Sequence, residues 1–325
     1  MKEPEVSVLM TAYNREDYIA EAIESVLAQT TQELELVIVD DGSRDHTVDI
    51  ARRYTNDPRV RLHLNEKNLG DYPNRNRAAE LAQGRYLKYL DADDMMYPHC
   101  LEVMVHQMEQ FPQSGIGFTL APRKEWLYPV SLSPQDAYRL EFLGSGGLGN
   151  GPTFAIYRRE LFFKAGGFPS ARFTSDRTLT LTLAREHPVV FMAAGLVFYR
   201  YHAAQEGMAE LSNVEAFSRR ARVNWEALTH PMCPLSKPEQ AGALRNVFGL
   251  FLRVVARDLL RGRLRTGIKR WKMSGVPLGR TWSVMIPSQW PYRGTVEGLK
   301  AQSIRPNWKA YPRSRQPGCT SSPVA

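Results

Sequence analysis

The chain has 325 residues, of which 43% are hydrophobic, 23% charged and 10% aromatic, a balance that excludes global disorder. Its length suits one large domain or two smaller ones. The formal net charge of +8 is unevenly placed: Glu239 to Ala325 holds 16 Lys plus Arg against 3 Asp plus Glu, while the stretch up to Pro238 holds 26 against 31. This basic excess points to an anionic partner for the C-terminal part, a membrane surface or nucleic acid, or else to a solvated basic face. Cys100, Cys233 and Cys319 are too few and too widely spaced for a disulfide framework or a zinc site, which suits a reducing compartment. The N-terminus lacks the basic flank and apolar core of a signal peptide, and no uncharged apolar run reaches the roughly 18 residues of a membrane span. A cytoplasmic location is expected.

In chain order, Val6 to Met10 is a short β-compatible apolar run, and Tyr18 to Gln29 places Ile19, Ile23, Val26 and Leu27 at helical spacing. Leu34 to Val39 reads as a buried strand, with Ser43 as N-cap ahead of a short helix from Thr47 to Tyr54. Val60 to Leu64 is a third strand. Pro73 to Ala82 suits a helix closed by Gly84, and Arg85 to Leu90 a fourth strand running into Asp91. Pro98 opens a helix with Leu101, Met104, Val105 and Met108 on one face. From Ala121 to Gly151 the pattern is irregular except for helix-like Gln135 to Leu143, and it ends in Gly144-Ser-Gly-Gly-Leu-Gly-Asn-Gly151. Then come a strand at Phe154 to Tyr157, a helical turn at Glu160 to Ala165, a sharp turn at Gly166 to Pro169 and a helix from Asp176 to Arg185. Val189 to Met192 and Leu196 to Tyr201 are strand-like, and Val214 to Leu228 and Glu239 to Leu260 helical. After Arg261 the chain holds four tryptophans (Trp271, Trp282, Trp290, Trp308) and, beyond Gly275, seven prolines; it reads as extended and poorly packed unless a partner orders it.

Strands alternating with helices imply an α/β sheet, largely parallel and covered on both faces. Ligands of such sheets sit beyond the carboxyl ends of the strands. The residues in question are Thr11-Ala12-Tyr13-Asn14, Asp40-Asp41-Gly42-Ser43 and Asp91-Ala92-Asp93-Asp94. Asp91 and Asp93, two apart in extended chain, point the same way and can converge on one hard cation such as Mg²⁺ or Mn²⁺. An acidic loop capping the next helix is the competing explanation. Asp40 and Asp41 could face the ligand crevice, act as a receiver-like phospho-acceptor, or cap a turn. Tyr13 could stack on a nucleobase or belong to the core.

Taken in order, Val6 to Asn14, Val37-Ile-Val-Asp-Asp-Gly-Ser43, Asn68-Leu-Gly70, Arg75-Asn76, Gly84-Arg-Tyr-Leu-Lys-Tyr-Leu-Asp-Ala-Asp-Asp94 and Gly166-Gly-Phe168 resemble the family 2 glycosyltransferases, over about residues 5 to 205. The resemblance implies an inverting enzyme with the GT-A nucleotide-diphosphosugar transferase fold, a Rossmann-like, mostly parallel sheet flanked by helices. It implies base contacts from Thr11, Tyr13 and Asp41, with Ala12, Asn14 and Asp40 beside them, and places Arg75 near the nucleotide. Of the D-x-D, Asp91 would contact the ribose, next to Ala92, and Asp93 the divalent metal; Asp94 receives no role. Asp176, after the Gly-Gly-Phe turn, takes the place of the general base, although Ser175 stands where many relatives have a second acid. Tyr199-Arg-Tyr-His202 resembles the family's Y-R-x-H segment, placing Arg200 near the diphosphate and His202 near the metal.

The expectation is therefore a metal-dependent enzyme, using Mn²⁺ or Mg²⁺, that moves a sugar from a nucleotide donor to a glycan or lipid-linked acceptor. Its catalytic domain would span 1–205, divided at 97 and 98 into a nucleotide-binding half and an acceptor half. A helical extension at 206–262 and a basic tail at 263–325 would follow. Gly144 to Gly149 matches G-x-G-x-x-G but follows a helix-like segment, so a dinucleotide site fails on context and a flexible loop beside the acceptor is the reading. A nucleotidyltransferase would need a phosphate-cradling glycine loop after the first strand, and Thr11 to Arg15 has no glycine. A nucleic-acid binder would survive loss of Asp93 and weaken steeply with salt; no nucleic acid is expected. The stripe Val247, Leu250, Phe251, Val254, Val255 and Leu259, with Arg253, Arg257 and Arg261 around it, either lies on an anionic bilayer or packs on the catalytic domain. Peripheral contact with the inner face of a membrane would follow from the former.

Overall fold

A computed structural model describes residues 3–119, 126–202, 213–276 and 302–303. The strands are β1 (Val6–Ala12), β2 (Leu34–Asp40), β3 (Val60–Leu64), β4 (Tyr86–Tyr89), β5 (Met95–Met96), β6 (Ile116–Thr119), β7 (Val130–Leu132), β8 (Ala155–Arg158), β9 (Val189–Met192), β10 (Val197–Phe198) and β11 (Gln302–Ser303). The helices are α1 (Ile19–Leu27), α2 (Thr47–Arg52), α3 (Asp71–Leu81), α4 (Cys100–Glu109), α5 (Pro134–Phe142), α6 (Arg159–Lys164), α7 (Ser175–Glu186), α8 (Val214–Thr229), α9 (Lys237–Leu260) and α10 (Leu264–Ser274), with a 3-10 turn at Pro152–Phe154.

Nine strands form one sheet in the order β11-β7-β9-β6-β8-β4-β1-β2-β3. β3, β2, β1 and β4 are mutually parallel; β8 enters antiparallel between β4 and β6, and β6 pairs parallel with β9. Side chains of a strand alternate between faces, and here each face has its own core. Leu9, Val37 and Val39 join one cluster with Tyr89, Phe118 and Phe191, while Val8, Met10, Leu36 and Ile38 join the other with α1 and α4. This two-sided burial explains why β1 and β2 read as continuous apolar runs rather than alternating ones. Gly84, before β4, has a steric reason to be glycine: a Cβ there would stand 2.5 Å from the Ser7 backbone nitrogen.

Several sequence expectations are corrected. Ser43 does not cap α2; its hydroxyl donates to Asp40 and accepts from the Asn14 N–H, and the helix begins four residues later. The segment after Arg261 is not extended at its start, because residues 264–274 form α10, which packs on α8 and α9. Trp282, Trp290 and Trp308, like most of the basic tail, lie outside the described residues. Of the apolar stripe on α9, Phe251 and Val255 are buried against α8 with Ala221, whereas Leu250 and Leu259 stay exposed. The centre of the stripe therefore packs on α8 of the extension, while Val247 at its start packs against the core of the sheet. β5, β6 and β7 were not anticipated.

The extension is bolted to the catalytic sheet by polar contacts. Ser236 and Glu239 form a capping box at the start of α9, and Glu239 also receives Arg139 Nε of α5 at 2.6 Å. Asn224 of α8 accepts from Arg177 of α7 at 2.8 Å.

Candidate active site

Parallel pairing of β1, β2 and β4 brings their carboxyl ends to one rim, with Ala12 opposite Asp40 and Tyr89 opposite Leu9. The three segments singled out in the sequence therefore share that rim. Beyond β1, Asn14 adopts a left-handed backbone, φ 52°, and its side-chain carbonyl accepts from Arg44 N–H at 2.9 Å. This turn leaves Tyr13 42% exposed, so it is available as a stacking surface rather than part of the core.

Asp40 and Asp41 spend their carboxylates inside the protein. Asp40 accepts from Gly42 N–H at 3.0 Å, Ser43 N–H at 2.9 Å and the Ser43 hydroxyl, closing its own turn. Asp41 accepts from Asn65 Nδ2 and Leu69 N–H, both at 2.8 Å, and from Gly70 N–H at 2.9 Å. Both side chains thus fix the loops that floor the crevice, the turn-building behaviour weighed for them in the sequence. The Asn68-Leu-Gly70 motif gains its meaning here, as the strip that Asp41 holds.

Asp91, Asp93 and Asp94 each offer an oxygen within 4.8 Å of the others, and Asp93 and Asp94 are buried. Arg75, on α3 and also buried, reaches Asp91 Oδ1 at 2.7 Å and Asp71 Oδ1 at 2.8 Å. Asp93 Oδ2 meets both Arg15 Nε at 3.0 Å and His202 Nε2 at 2.9 Å. Asp94 Oδ1 accepts from Arg200 N–H at 3.0 Å, and the Thr153 side chain also hydrogen-bonds its carboxylate. Burial, then the neighbouring Asp91 and Asp93, push the Asp94 carboxyl up to about 7. A cation among the three would reverse that push by favouring the ionised form.

The return of residues 197–202 to this cluster follows from the small sheet β5–β10. Phe198 pairs with Met95 antiparallel, so two residues further on Arg200 lies across from Asp93, whose carbonyl accepts Arg200 Nε at 3.0 Å. Arg200 also pairs with Glu21 and lies over the Tyr18 ring at 5.0 Å, and His202 stacks on the same ring with centroids 4.9 Å apart. Tyr18 and Arg15 escaped the sequence reading; their only signal was adjacency to the first strand's end. Lys88 also escaped it. Its fully buried ammonium donates to the carbonyls of Tyr89, at 2.7 Å, and of Thr153, tying β4 to the 3-10 turn beneath the acids.

Asp176 occupies the first turn of α7, where helix N–H groups favour an anion. It accepts from Arg177 N–H at 2.7 Å and from the Tyr72 hydroxyl. Although its surface is partly open, close packing dominates and burial raises its carboxyl above the ordinary range, against the lowering pull of those donors and of Arg75. Arg75 thus senses both acid centres. Behind Asp176, buried Arg177 bonds Glu141 Oε1 at 2.7 Å, and Glu141 Oε2 accepts Gly147 and Leu148 N–H at 2.9 and 2.8 Å. Part of the glycine-rich segment is therefore held by Glu141.

The Glycosyl transferase family 2 model matches residues 7–164. An uncharacterized glycosyltransferase of Rickettsia prowazekii is 30% identical over 226 residues, 66% of this chain and 69% of that protein. The chain belongs to glycosyl transferase family 2. The uncharacterized glycosyltransferase YibD of Escherichia coli is 42% identical over 101 residues, 31% of this chain, and chondroitin synthase of Escherichia coli is 40% identical over 108 residues, 33% of this chain. The chain spans only 29% of the former and 16% of the latter. Among solved structures, TarS of S. aureus in complex with UDP-GlcNAc aligns with a TM-score of 0.59 at 22% identity, covering 75% of this chain and 71% of that one. The mannosyltransferase PcManGT of Pyrobaculum calidifontis, in complex with GDP-Man and Mn²⁺, aligns at 0.54 and 17%, covering 88% and 84%. These likenesses establish the fold, the GT-A arrangement that the family 2 resemblance implied.

Proposed function

We propose that this family 2 member is an inverting, metal-dependent glycosyltransferase that moves a sugar from a UDP-sugar to a hydroxyl of a glycan or lipid-linked acceptor. What carries it is the gathering of Asp91, Asp93 and Asp94 at the rim beyond β4, flanked by Arg75 and Arg200. Three hard oxygen donors gathered within 4.8 Å fit a divalent ion, Mn²⁺ or Mg²⁺. Asp91 and Asp93 would hold it, with Asp94 and His202 beside them, and when bound it supplies Lewis-acid neutralisation of the departing diphosphate.

The remaining steps belong to the chain itself. Tyr13 offers a ring for the base, next to Thr11, Ala12 and Asn14, and Asp40 and Asp41 act on the base through the loops they hold. Asp91 and Ala92 border the ribose. Arg75 and Arg200 place positive charge beside the diphosphate. Asp176 takes the acceptor's hydroxyl proton while that oxygen forms a bond to the anomeric carbon; the carbon–oxygen bond to the diphosphate breaks on the opposite face, and its electron pair leaves with the nucleoside diphosphate. One displacement of this kind inverts the anomeric centre. Burial that raises Asp176 above the ordinary carboxylate range moves it closer to the proton affinity that suits a base near neutral pH.

The donors named for TarS and PcManGT, and the Mn²⁺ of the latter, support this reading. So does chondroitin synthase for a glycan acceptor. The basic C-terminal part would bring the enzyme to the inner face of a membrane, where a lipid-linked acceptor resides. The test is a screen of nucleotide-sugars with Mn²⁺ or Mg²⁺, scored by release of free nucleoside diphosphate. Release from a UDP-sugar that needs the ion and disappears in Asp93→Asn is expected; release indifferent to both would reject the proposal.

A further inference from the structure

Where α9 turns into α10, the chain presents aliphatic side chains to solvent. Leu260 is 88% exposed, and Leu250, Leu264 and Ile268 are 55%, 58% and 51% exposed. They are surplus to the core, because the interior of this helical unit is already filled by Phe248, Phe251, Leu252 and Val255 packed on Ala221. The two helices meet closely at Gly267, where a Cβ would stand 2.8 Å from Leu259 Cδ2. That contact fixes the turn, so the leucines protrude from a set geometry.

The exposed charges from residue 250 to 276 are of one sign. Arg253, Arg257 and Arg261 are exposed along the end of α9 and the turn. Arg263, Arg265, Lys269 and Lys272 continue the series through α10. From residue 240 to 276 the sequence has a single acid, Asp258, and it is buried and paired with Arg270 Nε at 2.8 Å. Leu264 and Ile268 lie one turn apart on one strip of α10, with Arg265, Lys269 and Lys272 on the adjoining strip.

We propose that this α9–α10 tip is a docking surface for an anionic lipid bilayer, the leucines and Ile268 entering the acyl boundary while the arginines and lysines meet the headgroups. Apolar insertion flanked by bases is the composition that binds such interfaces. A nucleic-acid backbone would use the bases but leave four protruding aliphatic side chains in water. A second copy docked by this face on itself would oppose the bases to one another. The proposal deepens the membrane contact named above, and vesicle binding is read without any sugar transfer, so either can fail alone.

The full chain is floated with phosphatidylcholine vesicles, with and without phosphatidylglycerol, over a range of salt. Binding that requires phosphatidylglycerol and weakens with salt is expected. Arg261→Gln/Arg263→Gln/Arg265→Gln should weaken it about 100-fold, each base near the surface being worth about fivefold. Leu260→Glu/Leu264→Glu should weaken it by about tenfold or more, with UDP affinity unchanged in both variants. No flotation of the wild type, or flotation of both variants equal to it, would overturn the proposal. So would duplex DNA binding as tight as vesicle binding and untouched by the leucine changes, or a dimer in sedimentation that those changes dissolve.

Discussion

The acidic cluster beyond β4 and the single acid at the start of α7 use the same functional group for opposite ends. At the cluster three carboxylates crowd within 4.8 Å, and Arg15, Arg75 and His202 already contact two of them. At Asp176 one carboxylate stands in a close-packed cleft, and the balance of burial over donors favours its protonated form more than water would. Crowded charge calls for a cation; a lone buried acid holds or takes a proton. Arg75 pairs with Asp91, and its charge also bears on Asp176.

The sharpest break between them comes from Asp176→Asn. It should lower transfer about 1,000-fold while UDP and Mn²⁺ affinities, followed by calorimetry, hold; lost nucleotide affinity with retained turnover would move Asp176 out of the base role. At the other centre, His202→Ala should weaken Mn²⁺ binding by about 10- to 100-fold, since it touches Asp93 and orients it. Equal Mn²⁺ affinity in that variant would leave His202 a loop residue.

Those two centres differ in how visible they were beforehand. The D-x-D, the first two strands and the helix opening at Asp176 announced themselves because a buried parallel strand and an amphipathic helix each impose a local pattern. β6 did not: it is only four residues long, and Gly117, whose Cβ would meet Met192 Cε at 2.5 Å, interrupts the strand-favouring Ile116, Phe118 and Thr119. Arg15, 78 positions from its partner Asp93, and the Glu141–Arg177–Asn224 chain were equally hidden, because a polar pair between distant elements leaves no period in the sequence. Asp40 and Asp41 teach a complementary lesson. Their place at a strand end was legible, and Asp40 closes its own turn there, but the use of Asp41's oxygens depends on Asn65, Leu69 and Gly70, a loop away.

Tyr13→Ala should weaken UDP binding by about tenfold, a stacked base being worth about 1–3 kcal/mol, and leave Asp176 chemistry intact at saturating donor. Arg177→Met probes what supports the proton-handling side. Arg177 and Glu141 are each 7% exposed, so removing one partner strands the other; a loss of about 3 kcal/mol in unfolding free energy is expected. The smallest effect concerns pH. In the proposed base role Asp176 must be ionised, so activity should fall as pH drops through a value above the ordinary carboxylate range. Tyr72 donates to the ionised form and lowers that value; Tyr72→Phe should move the acid limb of kcat/KM upward. A downward move would contradict the assigned hydrogen bond.

The most direct trial of the division is calorimetric titration of Mn²⁺ into the full chain in the presence of UDP, run in parallel on wild type, Asp93→Asn and Asp176→Asn. One ion bound per chain in the wild type, kept in Asp176→Asn and lost in Asp93→Asn, is the predicted result. Absence of Mn²⁺ binding in the wild type, or binding that Asp93→Asn leaves in place, would contradict it.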